Sequence, residues 1–379
     1  MIKKRLYTPG PTPVPEQIML TMAEPMIHHR HPEFQEILTS VNDNLKYLFQ
    51  TNQGVMTLTS SGTGAMEASV ANVLSKGDTA IYVNGGKFGE RWGEILNAYG
   101  LHAVEIKMEW GTPVTADQVV EVLKNNPDTK AVYLTHSETS TGTATDIETI
   151  AQAVHKYNND IAVIVDGITS VGAMKSKMDE WDLDIVVTGS QKGLMIPPGL
   201  AHIAVSERAW KLIESSDLPN YYFDLKAAKK ALDKNDTPWT PAVTLFIGLE
   251  KALTMLREEG IENVWARHQK LADAIREGCK ALGLKLLSNS PSNALTAVYV
   301  PENVEFKRFN SVIKQKYGIT VAGGQGHLKG KIFRISHLGY YDELDMMTMM
   351  AALERTLVEV GADITVGAGL AAAQKVLIK

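Results

Sequence analysis

Residues 161–167 read IAVIVDG and residues 184–199 read DIVVTGSQKGLMIPPG. Each opens with a short run of valine and isoleucine and then gives way to a charged or flexible residue. Apolar, β-branched runs this short, bounded by glycine, fit strands covered on both faces, as in a parallel sheet. The first run ends in Asp166 and the second is followed by Lys192, 26 positions later. Lysine is among the residues least often fully buried without a partner, so its place after a core strand needs an explanation.

Working outward, the same grammar repeats. GVMTLTS (54–60), TAIYVNGG (79–86), HAVEIKM (102–108), AVYLTHSE (131–138) and LAHIAVS (200–206) fit strands. GAMEASVANVL (64–74), GERWGEILNAYG (89–100), TADQVVEVLKNN (115–126) and DIETIAQAVHKYN (146–158) fit helices between them. Strand–helix alternation predicts an α/β domain with a mostly parallel sheet flanked by helices. Ligands in such sheets bind beyond the carboxyl ends of the strands.

An earlier helix is expected over 32–49, with Ile37, Val41, Leu45, Leu48 and Phe49 on one face. The opening LYTPGPTPVP (6–15) is extended, because each proline drives its predecessor out of the helical region. From residue 245 to 283 the chain reads as helix without strand; ALTAVYV, GITVA and KIFRISH then fit short strands of a smaller α+β domain. The expected division is an N-terminal arm (1–15) that contributes to the active site, a large α/β domain (16–250) and a small C-terminal domain (251–379).

The whole-chain numbers exclude several classes. A net charge of −5 over 379 residues gives no electrostatic case for nucleic acid. The single cysteine, Cys279, excludes an intramolecular disulfide and a cysteine-ligated iron–sulfur or zinc cluster within the chain. No apolar run reaches the ~18–20 residues of a spanning helix, and MIKKRLYTPGPTPVP lacks a signal-peptide core. A cytoplasmic enzyme, without membrane or nucleic-acid partners, is expected. HHRH (28–31) lacks the spacing of a helical zinc motif, so no metal is expected.

Four features carry chemistry. Asp166 and Lys192 at neighbouring strand ends suit a cofactor whose ring nitrogen needs a carboxylate and whose aldehyde needs an amine; pyridoxal phosphate is one. Read singly, Asp166 could equally cap a helix and Lys192 sit in an exposed loop. SSGTGAMEA (60–68) places small residues at a helix start, where backbone N–H groups receive an anion. It is neither a dinucleotide fingerprint nor a Walker loop. In NGGKFGERW (84–92), Phe88 falls between glycine-flanked turns, placed to stack on a ring or to pack its own loop.

SGTGAMEA, NGGKFGERW, THSETSTG, VDGITSVG, GSQKGLMIPPG, TPWTPA and GKIFRISHLG follow one another as in the class V aminotransferases of fold type I. The chain resembles the alanine–glyoxylate and serine–glyoxylate branch over nearly its whole length, and is similar to cyanobacterial proteins labelled soluble hydrogenase small subunits. The resemblance implies that Lys192 joins pyridoxal 5'-phosphate as a Schiff base while Asp166 pairs with the ring nitrogen. Ile168 and Phe88 would cover the two ring faces, and Thr139 would bond the phenolic oxygen. Thr63, Gly64, Ala65 and Gln191 would hold the phosphate. Thr237 and Thr240 would complete that site in a second subunit, making a homodimer the minimum. Arg334 would grip the substrate carboxylate, Gly10 would line the pocket, and His28 or His29 would meet the substrate side chain.

The implied reaction moves an amino group from alanine or serine to glyoxylate. A phosphorylated or phosphonate amine is the alternative, with Arg30 and Lys329 as a second anion site. Cysteine desulfuration needs a cysteine in the region of VAGGQGHLKGK (321–331), which has none.

Overall fold

The computed structural model describes residues 2–379. Its strands are β1 (Arg5–Tyr7), β2 (Val55–Leu58), β3 (Thr79–Asn84), β4 (His102–Lys107), β5 (Thr129–Thr135), β6 (Ser137–Glu138), β7 (Thr143–Ala144), β8 (Ala162–Asp166), β9 (Ile185–Gly189), β10 (Ala201–Val205), β11 (Leu295–Tyr299), β12 (Ile319–Gly323) and β13 (Ile332–Ser336). Seven of them form one sheet in the order β2-β10-β9-β8-β5-β3-β4. From β9 to β4 all neighbours are parallel, and β10 alone runs antiparallel to the strands beside it.

Every residue of β8, β9 and β10 is buried, which is why these strands read as unbroken apolar runs. Alternate residues serve two different cores, because successive side chains of a strand point to opposite faces. Val163 and Val165 pack with Phe34, Leu45 and Phe246 from the helices Pro32–Phe49 and Val243–Glu259. Ala162 and Ile164 pack with Met66, Trp92 and Ile213 from the helices Gly62–Ala71, Lys87–Ala98 and Glu207–Ser215. Each large apolar side chain buried this way contributes roughly 1.5–3 kcal/mol.

A second sheet, ordered β1-β12-β13-β11, packs with Ile275, Phe309, Met350 and Leu353 of the C-terminal helices. Its edge strand β1 comes from the N-terminal arm and lies parallel to β12, so the arm is tied to the far end of the chain. The helical run expected over 245–283 breaks into Val243–Glu259 and Ile261–Ala281 at Gly260, whose φ of +85° suits glycine. The boundary expected between 250 and 251 falls inside the first of these helices. Among the described residues no helix is long and apolar enough to cross a membrane.

The helix after β3 begins at Lys87, so Phe88 belongs to its first turn and does not lie between two turns as expected. Gly89 serves packing: a Cβ there would stand 3.2 Å from the Cα of Asn84 at the end of β3.

Candidate active site

Asp166 is the last residue of β8 and pairs in register with Val187 of β9, which ends three residues before Lys192. Both side chains are buried, at 4% and 8% exposure. The lysine does not carry its charge unaided, because Nζ donates to the carbonyl of Pro9 at 2.6 Å. Burial holds its amine down at about 8; the Asp166 carboxylate opposes this, and the Arg334 and Arg91 guanidiniums add to it. Burial pushes Asp166 up to about 7, against the Ile168 N–H donated to its Oδ1 at 2.8 Å. The two groups therefore change charge within reach of neutral pH.

The loop carrying Lys192 is fastened from two sides. Thr12 donates from N to the Gln191 carbonyl at 3.1 Å and from Oγ1 to the Lys192 carbonyl at 3.0 Å. Gly10 passes so close that a Cβ would stand 2.6 Å from Cε of Lys192. Ser190 Oγ donates to the Pro197 carbonyl at 2.8 Å, stapling the proline turn. Met195 adopts a left-handed φ of +56°, a conformation costing about 1–2 kcal/mol outside glycine that the surrounding bonds hold in place.

The small residues at 61–64 start the helix Gly62–Ala71, whose N-cap Ser61 makes no side-chain cap bond. Thr63 Oγ1 accepts from Arg91 Nη1 at 3.1 Å, and the same guanidinium lies 4.9 Å from the centroid of the Phe88 ring. Ile168 abuts this helix: a Cβ on Gly62 would stand 2.8 Å from its Cγ1. Gln191 Oε1 is buried without a hydrogen-bond partner. A Cβ on Gly189 would stand 3.3 Å from that oxygen and 3.5 Å from the Gly62 nitrogen, so the carboxamide and the helix start border one space.

Thr139 Oγ1 shares a hydrogen bond of 2.6 Å with Thr169 Oγ1, and its carbonyl accepts from Arg334 Nη1 at 2.7 Å. Arg334 Nε and Nη2 both donate to the Gly323 carbonyl, at 3.0 and 2.8 Å. Burial brings this guanidinium down to about 10, with Glu138 opposing.

The charges of Asp166, Arg334 and Arg91 all act on Lys192; Gly10 abuts Lys192, Arg91 joins Thr63 to Phe88, Arg334 holds Thr139, and Ile168 and Gln191 both border Gly62. Gly64 and Ala65 follow in the same helix turn and are buried. The histidines are placed differently. His28 and His29 stack on each other at 4.6 Å, and His28 Nδ1 accepts from the Arg30 N–H within its own loop. Arg30 pairs with Asp236 and donates to the Thr237 carbonyl at 3.3 Å, which occupies the guanidinium considered for a second anion. Thr237 turns its own hydroxyl to the Trp239 carbonyl at 2.9 Å, and the segment with Thr240 borders Thr57–Thr59 of its own chain. Among the described residues no cluster of possible metal ligands forms.

Two larger hollows, of about 570 and 580 Å³, lie at the other end of the sheet. Their linings include Gln53, Gly54, Asp160 and Leu183, which precede β2, β8 and β9. Volume alone points to that opposite edge, away from Asp166 and Lys192.

Residues 6–342 match the family model for class V aminotransferases. The chain belongs to that family. The aminotransferase is 46% identical to the soluble hydrogenase small subunit of a Synechococcus species, over 99% of this chain and 98% of that one. It is 34% identical to the serine–glyoxylate aminotransferase of Methylorubrum extorquens, over 99% and 96% of the two chains. The crystal structure of ureidoglycine–glyoxylate aminotransferase from Bacillus subtilis superposes with a TM-score of 0.95 at 28% identity, covering 100% and 99%. The hydrogenase label does not fit this chain's own composition, since one cysteine cannot ligate a nickel–iron or iron–sulfur centre.

Pyridoxal phosphate, the cofactor of this family, fits the residues present. The orphaned carboxamide of Gln191 and the uncapped helix start supply polar groups that a phosphate would satisfy. The methyl-free flank at Gly10 leaves Lys192 room at the sheet edge.

Cys279 sits in the aminotransferase's helix Ile261–Ala281, fully buried, and burial pushes its thiol up to about 12. A thiol reagent is expected to leave the native protein unlabelled and to titrate one thiol in denaturant; fast native labelling would contradict this burial.

Sequence reasoning missed Arg91, Glu138, Pro9 and Thr12. Arg91 was findable: three positions after Phe88, it faces that ring once both belong to one helix. Glu138 lies three residues beyond the end of β5, in the short strand β6, and no apolar run leads directly to it.

Proposed function

We propose that this aminotransferase moves the amino group of a small amino acid, alanine or serine, to glyoxylate. The observation that carries the reading is a buried Lys192 amine bonded to the Pro9 carbonyl at 2.6 Å, with Asp166 ending the neighbouring strand and the Asp166, Arg334 and Arg91 charges all acting on it. A surface lysine is almost wholly protonated at neutral pH; this one has a usable fraction of free amine for attack on the cofactor aldehyde and for carrying the α-proton. When bound, pyridoxal phosphate supplies a ring that accepts the electron pair left by that proton. Asp166 would keep the ring nitrogen protonated, Ile168 and Phe88 would cover the ring, and Thr139 would bond its phenolic oxygen. Thr63, Gly64, Ala65 and Gln191 would hold the phosphate. Gly10 keeps the substrate side of Lys192 open, and His28 or His29 would meet the substrate side chain.

The acceptor rests on relatives whose names share glyoxylate and differ in donor. The test is to add each amino acid to cofactor-loaded protein, time the loss of visible absorbance, and then offer glyoxylate, pyruvate and 2-oxoglutarate. Alanine or serine should react fastest and glyoxylate restore the colour best. Reaction with phosphorylated or phosphonate amines alone would overturn the assignment; the engagement of Arg30 by Asp236 speaks against that outcome.

Arg334 matches a substrate carboxylate with its planar fork, in place of the Thr139 and Gly323 carbonyls it now holds. Arg334→Lys is expected to raise KM for the amino acid about 10- to 100-fold with a smaller change in kcat; an unchanged KM would remove Arg334 from the substrate site. Thr237 and Thr240 reach the phosphate of a second copy, so the active form is a homodimer, and an active monomer in sedimentation would refute it. The arm over Lys192, a cofactor-binding part and a smaller C-terminal part dividing near Gly260 suit this chemistry. A cytoplasmic setting suits a chain with one unpaired thiol.

A further inference from the structure

The helix Lys87–Ala98 has glycine at its N-cap and no cap bond from its own side chains. Its first three N–H groups would therefore be orphans at a buried helix start. All three are satisfied from a different element, the β6–β7 hairpin. Ser140 Oγ accepts from Lys87 N at 3.0 Å, and Glu138 Oε2 accepts from Phe88 N at 3.1 Å and Gly89 N at 2.9 Å. The other carboxylate oxygen, Oε1, accepts from Ser140 N at 3.0 Å and Ser140 Oγ at 2.6 Å.

Glu138 is 4% exposed, and its carboxylate fits where it lies only because residue 86 has no side chain. A Cβ on Gly86 would stand 2.5 Å from Cγ of Glu138. A carboxylate at a helix N-terminus also meets the positive end of the helix dipole. Burial pushes Glu138 upward, and the bonds from Ser140, Gly89 and Phe88 oppose it, favouring the anion.

We propose that Glu138 is the positioning residue of Phe88: by capping the Phe88 helix from the neighbouring hairpin, it sets the ring that covers the cofactor. The proposal rests on the aminotransferase reading above and on Phe88 as the stacking ring. The hairpin that holds Phe88 also carries Thr139, whose carbonyl Arg334 grips. One tripeptide, Glu138–Thr139–Ser140, thereby fixes the stacking ring, the phenolic-oxygen contact and the substrate arginine relative to one another.

The test is a double-mutant cycle read by cofactor affinity and by the induced circular dichroism of bound pyridoxal phosphate. Glu138→Gln keeps the size but turns an NH₂ group toward N–H donors. We expect its dissociation constant for pyridoxal phosphate to rise about 10- to 100-fold, with a weakened dichroic band. In a Phe88→Leu background the same substitution should cost less than about 3-fold, because the ring it positions is gone. An unchanged affinity and band in Glu138→Gln, or an equal loss in both backgrounds, overturns the proposal. Should Glu138→Gln fail to fold, Ser140→Ala removes the acceptor of Lys87 N and is expected to give a smaller loss, about 3- to 10-fold, again only with Phe88 present; its absence, or its persistence without Phe88, overturns the proposal equally. A wild-type protein that does not bind pyridoxal phosphate overturns the aminotransferase reading itself, a result distinct from each of these.

Discussion

Lys192→Ala is expected to lower turnover by about 10⁴-fold or more and to abolish the visible absorbance of the lysine-bound cofactor, while the protein still folds. The size follows from the two tasks proposed for one amine: covalent attachment and proton transfer, the latter alone worth up to roughly 10⁴-fold. Folding should survive because the deletion has opposing effects. The Pro9 carbonyl loses its donor, at about 1–3 kcal/mol for an unsatisfied buried acceptor, but a buried amine that had to be desolvated is removed as well. Lys192→Arg keeps the charge and loses the chemistry, because guanidinium stays protonated at any working pH. In the wild type, capture of pyridoxal phosphate should accelerate as pH rises through about 8, since only the free amine attacks and burial has lowered its pKa to that value. A normal surface lysine would accelerate only toward about 10.4. A variant without Lys192 that keeps both colour and turnover would sink the assignment. So would borohydride reduction that fixes the cofactor to a different residue.

The placement of Asp166 and Lys192 at neighbouring strand ends was legible because β8 and β9 are buried on both faces, and such strands write themselves as apolar runs that stop where the sheet ends. The helix at 32–49 was equally legible in its span, and Val41, Leu45, Leu48 and Phe49 are buried as expected, although Phe34 and Leu38 complete the face and Ile37 is only half-buried. Phe88 was misplaced into a loop because Gly86 and Gly89 read as breakers. One of them makes room for Glu138 and the other lets the helix ride directly on the end of β3. Strand β1 had no local signature, as three residues gain strand character only by pairing with Ile319–Val321, more than 300 positions away. Thr12 and Pro9 were hidden for the same reason: their partners, Gln191 and Lys192, lie across the whole large sheet in sequence. Periodicity and strand ends record burial, whereas a contact between distant loops leaves no period to read.

Asp166→Ala separates the two halves of the site, and its expected signature differs from that of Lys192→Ala. Colour should persist, because the amine that joins the cofactor is intact, but turnover should fall about 10²- to 10³-fold, the usual cost of deleting a preorganised electrostatic partner in a closed site. The carboxylate also acts on Lys192 directly. As an anion, Asp166 favours the ammonium form and raises the lysine, against burial and the Arg334 and Arg91 charges. Removing it leaves only the influences that lower the amine, so the pH at which cofactor capture becomes half-maximal should drop below about 8. This shift is measurable on the unloaded protein and does not depend on turnover. Asp166→Asn should shift capture in the same direction, since it too removes the negative charge, while retaining a hydrogen-bonding group toward the ring. A capture profile that stays at about 8 in both variants would mean that Asp166 and Lys192 do not share a field, and the paired strand ends would lose their functional meaning. A profile that moves while colour remains would show that the aspartate acts on the lysine through its charge, and that covalent attachment belongs to the lysine alone.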